Sequence, residues 1–396
     1  MKTIPVLLLT GYLGSGKTTL VNKILTNGKG IRFAVIVNDI GEVNIDADLI
    51  QKDGIVGRRD ESLVALQNGC ICCTLKMDLV EQLRDIVHMG RFDYIVIEAS
   101  GICEPEPIAR TICSIPLMGD EYVADGAPRL DCIVTVVDAL RMRDEFGCAK
   151  DLLRGNLDED DIENLVIQQV EFCNIVLLNK ASMISPDELG KVRQIIRTLQ
   201  PKAEIIECNY GDVELEKLIW TDRFSYNSVS ASAAWVTAVE GHMEEEDDDD
   251  DDEHEHEHEG HPHHHHHEGE GEVEEYGIGT YVYYRRKPFD INKFDHFVAK
   301  RWPAGVIRAK GICYFTDQPD VCYLFEQAGS QIGMKGIGQW YATMPEDELN
   351  RMLLEDPVLR ADWDPAYGDR MQKLVFIGQH LDRAEIRAAL DACLAD

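Results

Sequence analysis

Short apolar runs without polar alternation recur through the first 210 residues, at 5–9, 33–37, 94–97, 132–137 and 175–178. Runs of this kind predict strands covered on both faces. Between them lie stretches with helical spacing. Over 75–87, for example, Leu75, Leu79, Leu83 and Val87 recur every four residues as one apolar stripe. Strand and helix signals that alternate in this way predict an α/β fold with a mostly parallel, doubly wound sheet. Ligands of such a sheet belong at the carboxyl ends of its strands.

The pattern breaks after Met243. Residues 244–252 are purely acidic, 253–259 alternate Glu with His, and 263–267 are five consecutive histidines. Such a segment cannot bury a core and predicts disorder. Periodicity then returns, with strands expected at 278–285, 306–315, 322–326, 339–343 and 374–377 and helices at 291–301 and 383–394. The chain is therefore divided into a first domain over 1–225, a linker over 243–275 and a smaller α+β domain over 276–396. Its 396 residues fit two to three cores of ordinary size.

The formal net charge is −33, but more than half of that excess sits in residues 244–275, which hold eighteen acidic residues and no Lys or Arg. The acidity is local. Neither nucleic acid nor an anionic membrane is expected as a partner, because both are polyanions. No apolar run approaches the roughly 20 residues needed to cross a bilayer. Twelve cysteines are scattered along a chain that opens without a secretory pattern, which predicts a reduced, cytoplasmic protein.

Residues 11–18, Gly-Tyr-Leu-Gly-Ser-Gly-Lys-Thr, match G-x-x-x-x-G-K-[ST] in full, after a strand signal and before a helix signal. The first domain is therefore expected to be a P-loop NTPase. Gly11, Gly14 and Gly16 would turn backbone N–H groups inward around phosphate oxygens, with Ser15 and Thr19 in the same cradle. Lys17 would neutralise β/γ-phosphate charge, and the Thr18 hydroxyl would ligate Mg²⁺. Glu98 ends the 94–97 run and is followed by Ala99, Ser100 and Gly101. It is expected to hold Mg²⁺ through water or to orient the attacking water, with Gly101 lining the nucleotide. Asp39, Glu42 and Asp46 follow the second run, where a nucleotide-sensing loop would lie, although solvated loop carboxylates are the competing reading. Asn179 and Lys180 end another strand and favour GTP over ATP. Ser182 stands where GTPases place the Asp that reads guanine, and a hydroxyl offers a weaker, single-point contact.

Cys70, Cys72 and Cys73 crowd three thiols onto four residues ahead of the 75–87 helix. A disulfide between neighbours is strained, whereas thiolates on one turn suit Zn²⁺, Co²⁺ or Cu⁺. The helix N-terminus would depress the thiol pKa and favour the metal-binding form. A fourth ligand is left open between water, nucleotide, Cys103 and Glu42. Ten of the thirteen histidines lie between His242 and His267, where imidazoles among carboxylates would collect divalent metal loosely.

Taken in order, residues 11–18, 68–73, 98–101 and Asn179-Lys180 resemble the CobW-type metallochaperone GTPases, relatives of HypB and UreG. The resemblance continues through 305–311 and 367–378, which look like the C-terminal domain of that family. It implies GTP hydrolysis coupled to the handling of Zn²⁺ or Co²⁺, with Cys70, Cys72 and Cys73 as ligands near switch loops. Two positions depart from the family pattern: Asp39 stands where Glu is common, and Ser182 where Asp is. The expected partner is a client apo-metalloprotein, with a homodimer left open. The competing functions are a dedicated activator of one metalloenzyme of the nitrile hydratase type and a passive Cys/His metal buffer.

Overall fold

The computed structural model describes residues 2–26, 30–37, 65–66, 76–146, 160–226, 229, 277–328, 331–356, 359–360 and 362–395. The cysteine turn with Cys70, Cys72 and Cys73, the acidic residues Asp39, Glu42 and Asp46, and the acidic and His-rich segment over 243–275 lie outside them. The chain forms two compact units, Met1–Ala233 and Ala234–Asp396.

The first unit is built on a seven-stranded sheet, with strands β1 (Thr3–Thr10), β2 (Phe33–Val37), β3 (Ala65–Leu66), β4 (Tyr94–Glu98), β5 (Ala127–Asp138), β6 (Ile175–Asn179) and β7 (Glu204–Glu207). Their order is β3-β2-β4-β1-β5-β6-β7, and every pairing is parallel. Every residue of β2, β4 and β6 is buried. The unbroken apolar runs therefore mark strands covered on both faces, as expected. The helix Lys76–Met89 turns Leu79, Leu83 and Val87 inward, as their spacing predicts. β3 and β7 carried no clear signal. The first is two residues long, and the second reads Glu-Ile-Ile-Glu on the sheet's edge.

A buried carboxylate ties the end of this unit to its sheet. Asp131 on β5 is fully buried; it accepts from the Tyr94 hydroxyl at 2.5 Å and from the backbone N–H of Asp222 at 2.7 Å and of Thr221 at 3.1 Å. Burial first, and then the hydrogen bond to Asp131, push the Tyr94 phenol far above its ordinary range, so it stays a donor. Trp220 packs edge-on against Tyr94 at 5.6 Å.

The second unit is an antiparallel sheet of β8 (Ile278–Arg285), β9 (Val306–Phe315), β10 (Gln318–Ala328), β11 (Gln331–Gln339) and β12 (Gln372–Gln379), in the order β11-β10-β9-β12-β8. The helices Ile291–Lys300 and Arg383–Asp391 contribute Phe294, Phe297, Ile386 and Leu390 to an aromatic core that includes Phe289, Phe325 and Phe376. Trp302 packs into that core, within 6 Å of Phe297, Phe325 and Phe376, and Trp340 is buried against Tyr314. The strand expected at 339–343 is not there. The strand is β11, which ends at Gln339, and Tyr341–Thr343 form a 3₁₀ turn. Trp340 and Tyr341 raised the strand signal, while Gly333, Gly336 and Gly338 suppressed it in the true strand.

Replacing Tyr94 with Phe leaves one Asp131 oxygen short of a donor in a dry setting. Tyr94→Phe should lower the stability of the first unit by about 1–3 kcal/mol. The shift is read from the urea midpoint of Trp220 fluorescence, and an unchanged midpoint would show that this contact contributes nothing.

Candidate functional site

The P-loop leaves the carboxyl end of β1 and enters the helix Lys17–Thr26. Its shape depends on missing side chains. Gly11 has φ +132°, and a Cβ there would strike the carbonyl of Val136 on β5. Gly16 has φ +110°, and a Cβ there would strike the amide of Asn179. The result is a backbone cradle at a helix N-terminus, the chemistry that suits phosphate oxygens. Within it the Lys17 ammonium donates to the carbonyls of Gly11 at 2.7 Å and Tyr12 at 3.2 Å, which places its charge over the loop. A cleft of about 290 Å³ is lined by Gly14, Gly16, Lys17, Thr18, Thr19 and Glu98, among others.

Glu98 is buried at the end of β4 and accepts from the Thr18 hydroxyl at 2.9 Å. One hydroxyl and one carboxylate thus converge where a hard cation beside phosphate would need oxygen ligands. The loop after β4 lies flush on the P-loop, because a Cβ at Gly101 would come within 2.7 Å of the Leu13 nitrogen. Gln169, fully buried, holds the far side of that loop. Its side-chain amide donates to the carbonyls of Cys103 at 3.1 Å and Gly101 at 3.4 Å, while its own backbone carbonyl accepts from Thr135 at 2.7 Å. Cys103 is buried and disulfide-bonded, with its partner outside the described residues, which departs from the expectation of a fully reduced chain and leaves Cys103 no thiolate to offer as a fourth metal ligand.

The third wall is set by Asn179. Its amide donates to the Ser15 carbonyl at 2.8 Å, and its oxygen accepts from the Gly211 N–H at 3.1 Å, so one side chain joins the P-loop to the loop after β7. Lys180 adopts a left-handed conformation, φ 59°, and its ammonium meets Asp138 at 2.5 Å. Ser182 is exposed and bonds to Asn209. Lys17, Thr18, Glu98, Gly101, Asn179, Lys180 and Ser182 therefore all lie along the carboxyl edge of one sheet. Sequence reasoning missed Asp138, Gln169 and Asn209. Asp138 ends a strand signal and was findable on that ground. Gln169 and Asn209 had no local signature.

The expected metal residues Cys70, Cys72, Cys73 and Glu42 lie outside the described residues, whereas Thr18 lies at the cleft. Among the described residues no cluster of three or more Cys, His, Asp or Glu side chains is arranged to hold a metal ion. Burial pushes the thiols of Cys132, Cys173 and Cys322 up to about 12 and that of Cys393 up to about 11. These stay protonated at neutral pH and are poor metal ligands. No described helix is long and apolar enough to cross a membrane.

Comparison with known proteins covers both units. Residues 5–207 match the family model of the CobW/HypB/UreG nucleotide-binding domain, and residues 278–394 that of the cobalamin synthesis protein cobW C-terminal domain. The zinc-regulated GTPase metalloprotein activator 1 of Dictyostelium discoideum is 31% identical over 407 residues, spanning 99% of this chain and 80% of that protein. The zinc chaperone YjiA of Escherichia coli K12 is 27% identical over 401 residues, 98% of each. The crystal structure of Zn(II)-bound YjiA aligns over 100% of both chains at 20% identity, with a TM-score of 0.41.

Among the described residues, Lys17 places an ammonium over this cradle, where it bonds the carbonyls of Gly11 and Tyr12. Lys17→Ala should lower kcat/KM for nucleoside triphosphate hydrolysis at least about 100-fold, the scale for losing a preorganised charge at a transition state. Phosphate release measures it, and a loss under threefold would place the phosphates elsewhere.

Proposed function

The chain belongs to the CobW/HypB/UreG family and hydrolyses GTP, and from that premise we propose that it is a zinc metallochaperone. It takes Zn²⁺ as cargo on Cys70, Cys72 and Cys73 and couples GTP hydrolysis to its transfer to client apo-metalloproteins. The carrying observation is the mechanical continuity of the cleft: Thr18 bonds Glu98 at 2.9 Å, and the loop that follows Glu98 packs on the P-loop at Leu13. A change at the γ-phosphate end therefore has a rigid path into that loop. The names of the relatives, a zinc-regulated metalloprotein activator and a zinc chaperone, favour zinc as the cargo.

In this reading the P-loop backbone and Lys17 hold the β- and γ-phosphates. Thr18 would ligate Mg²⁺, which would neutralise developing phosphate charge when bound, and Glu98 would hold that ion through water or orient the attacking water. Asn179, Lys180 and Ser182 hold the base. The three vicinal cysteines form an incomplete thiolate shell, which releases metal faster than a closed four-ligand site. The acidic and His-rich segment over 243–275 gathers metal ahead of the cysteines with weaker imidazole ligands.

Two variants separate these parts. Cys72→Ala should lose one tightly bound equivalent of Zn²⁺, measured by competition with a chromogenic chelator. Deleting residues 244–275 should remove only weak equivalents and leave GTP turnover within twofold of wild type. Unchanged tight binding in Cys72→Ala would move the cargo site off the cysteine turn.

A further inference from the structure

Ser182 removes the carboxylate that would read guanine, and the structure shows what surrounds it instead. The loop after β6 and the loop after β7 are joined by a backbone bond from the Ala181 N–H to the Cys208 carbonyl at 3.2 Å. Next to that bond, Asn209 Oδ1 lies 2.9 Å from the Ser182 backbone nitrogen and 2.8 Å from Ser182 Oγ. The backbone N–H can only donate, so the Asn209 atom facing it is the carbonyl oxygen. The Ser182 hydroxyl meets that same oxygen and must therefore donate as well, because two acceptors in contact repel. Its proton is committed inward, and its lone pairs face outward on an exposed residue.

We propose that Asn209 is a base-specificity residue, which fixes the Ser182 hydroxyl as a hydrogen-bond acceptor for the guanine ring N1–H. Guanine presents a donor at N1, whereas adenine presents an acceptor there. A hydroxyl free to rotate would serve both bases, as donor or as acceptor. A hydroxyl locked by Asn209 attracts guanine and repels adenine, because the alternative is two lone pairs in contact. The acidic side chains flanking these loops are already engaged. Asp138 bonds Lys180 and accepts from the backbone N–H of Leu140 and Arg141, and Asp212 pairs with Lys23 at 3.0 Å. Discrimination thus passes from one carboxylate to a pair of neutral residues on two different loops, and Asn209 acts through Ser182 as a positioning residue.

The inference rests on GTP as the fuel, and the test keeps the two apart. Steady-state hydrolysis of GTP and of ATP by the full-length protein gives the ratio of their kcat/KM values. Asn209→Ala should lower the GTP-to-ATP ratio about fivefold to tenfold, the scale of one hydrogen bond, chiefly through a lower KM for ATP, because the freed hydroxyl can then donate to adenine. Asn209→Asp keeps an oxygen acceptor in the same place and should retain the wild-type ratio or exceed it. Ser182→Ala should also lower the ratio, and the double variant should lower it no further than Ser182→Ala alone, because Asn209 acts only through that hydroxyl. Equal losses on GTP and ATP in Asn209→Ala, or additive losses in the double variant, would overturn the assignment. Wild-type turnover without base preference would also overturn it, whereas no turnover of either nucleotide would contradict the GTPase reading itself.

Discussion

The whole site depends on backbone approaching its neighbours where a Cβ cannot fit. Gly11 sits against the Val136 carbonyl on β5, Gly16 against Asn179 at the end of β6, and Gly101 against the Leu13 nitrogen. These three contacts seat the P-loop among β1, β4, β5 and β6. Sheet order does the rest. With β1 flanked by β4 and β5, the P-loop emerges beside the strand that ends in Glu98 and beside the strand that ends in Asp138. The residues proposed for phosphate chemistry and those proposed for base recognition then fall on opposite sides of one loop.

In the proposed function this arrangement separates two tasks that act on one nucleotide. The phosphate end is held by charge and by oxygen ligands at Lys17, Thr18 and Glu98, and it connects to the loop over 99–103, which Gln169 clamps from behind. The proposed base end is shaped by neutral hydrogen bonds across Asn179, Ser182 and Asn209. Charge at one end favours hydrolysis and a response to phosphate loss; neutral groups at the other favour discrimination. In the proposed function only the first task needs to reach the metal.

Legibility followed the range of each interaction. Residues 11–18 form a local motif between a strand and a helix, and their placement at the carboxyl end of β1 was readable from spacing alone. The parallel core was readable because β2, β4 and β6 are apolar without interruption. Asn209 and Gln169 act across 27 and 66 positions of chain, respectively, so no pattern near either residue announces its partner. β11 was missed because three glycines hid a nine-residue strand. A resemblance in order and spacing, from Gly11 through Asn179, supplied the family before any contact was known.

The central claim is that nucleotide state changes the affinity of the cysteine turn for its cargo. The direct measurement is a Zn²⁺ titration of the full-length protein saturated with a non-hydrolysable GTP analogue, set beside the same titration with GDP. The account predicts Zn²⁺ dissociation constants that differ by at least about fivefold, with the same factor appearing in nucleotide affinity when Zn²⁺ is saturating. Equal dissociation constants in the two nucleotide states would contradict it.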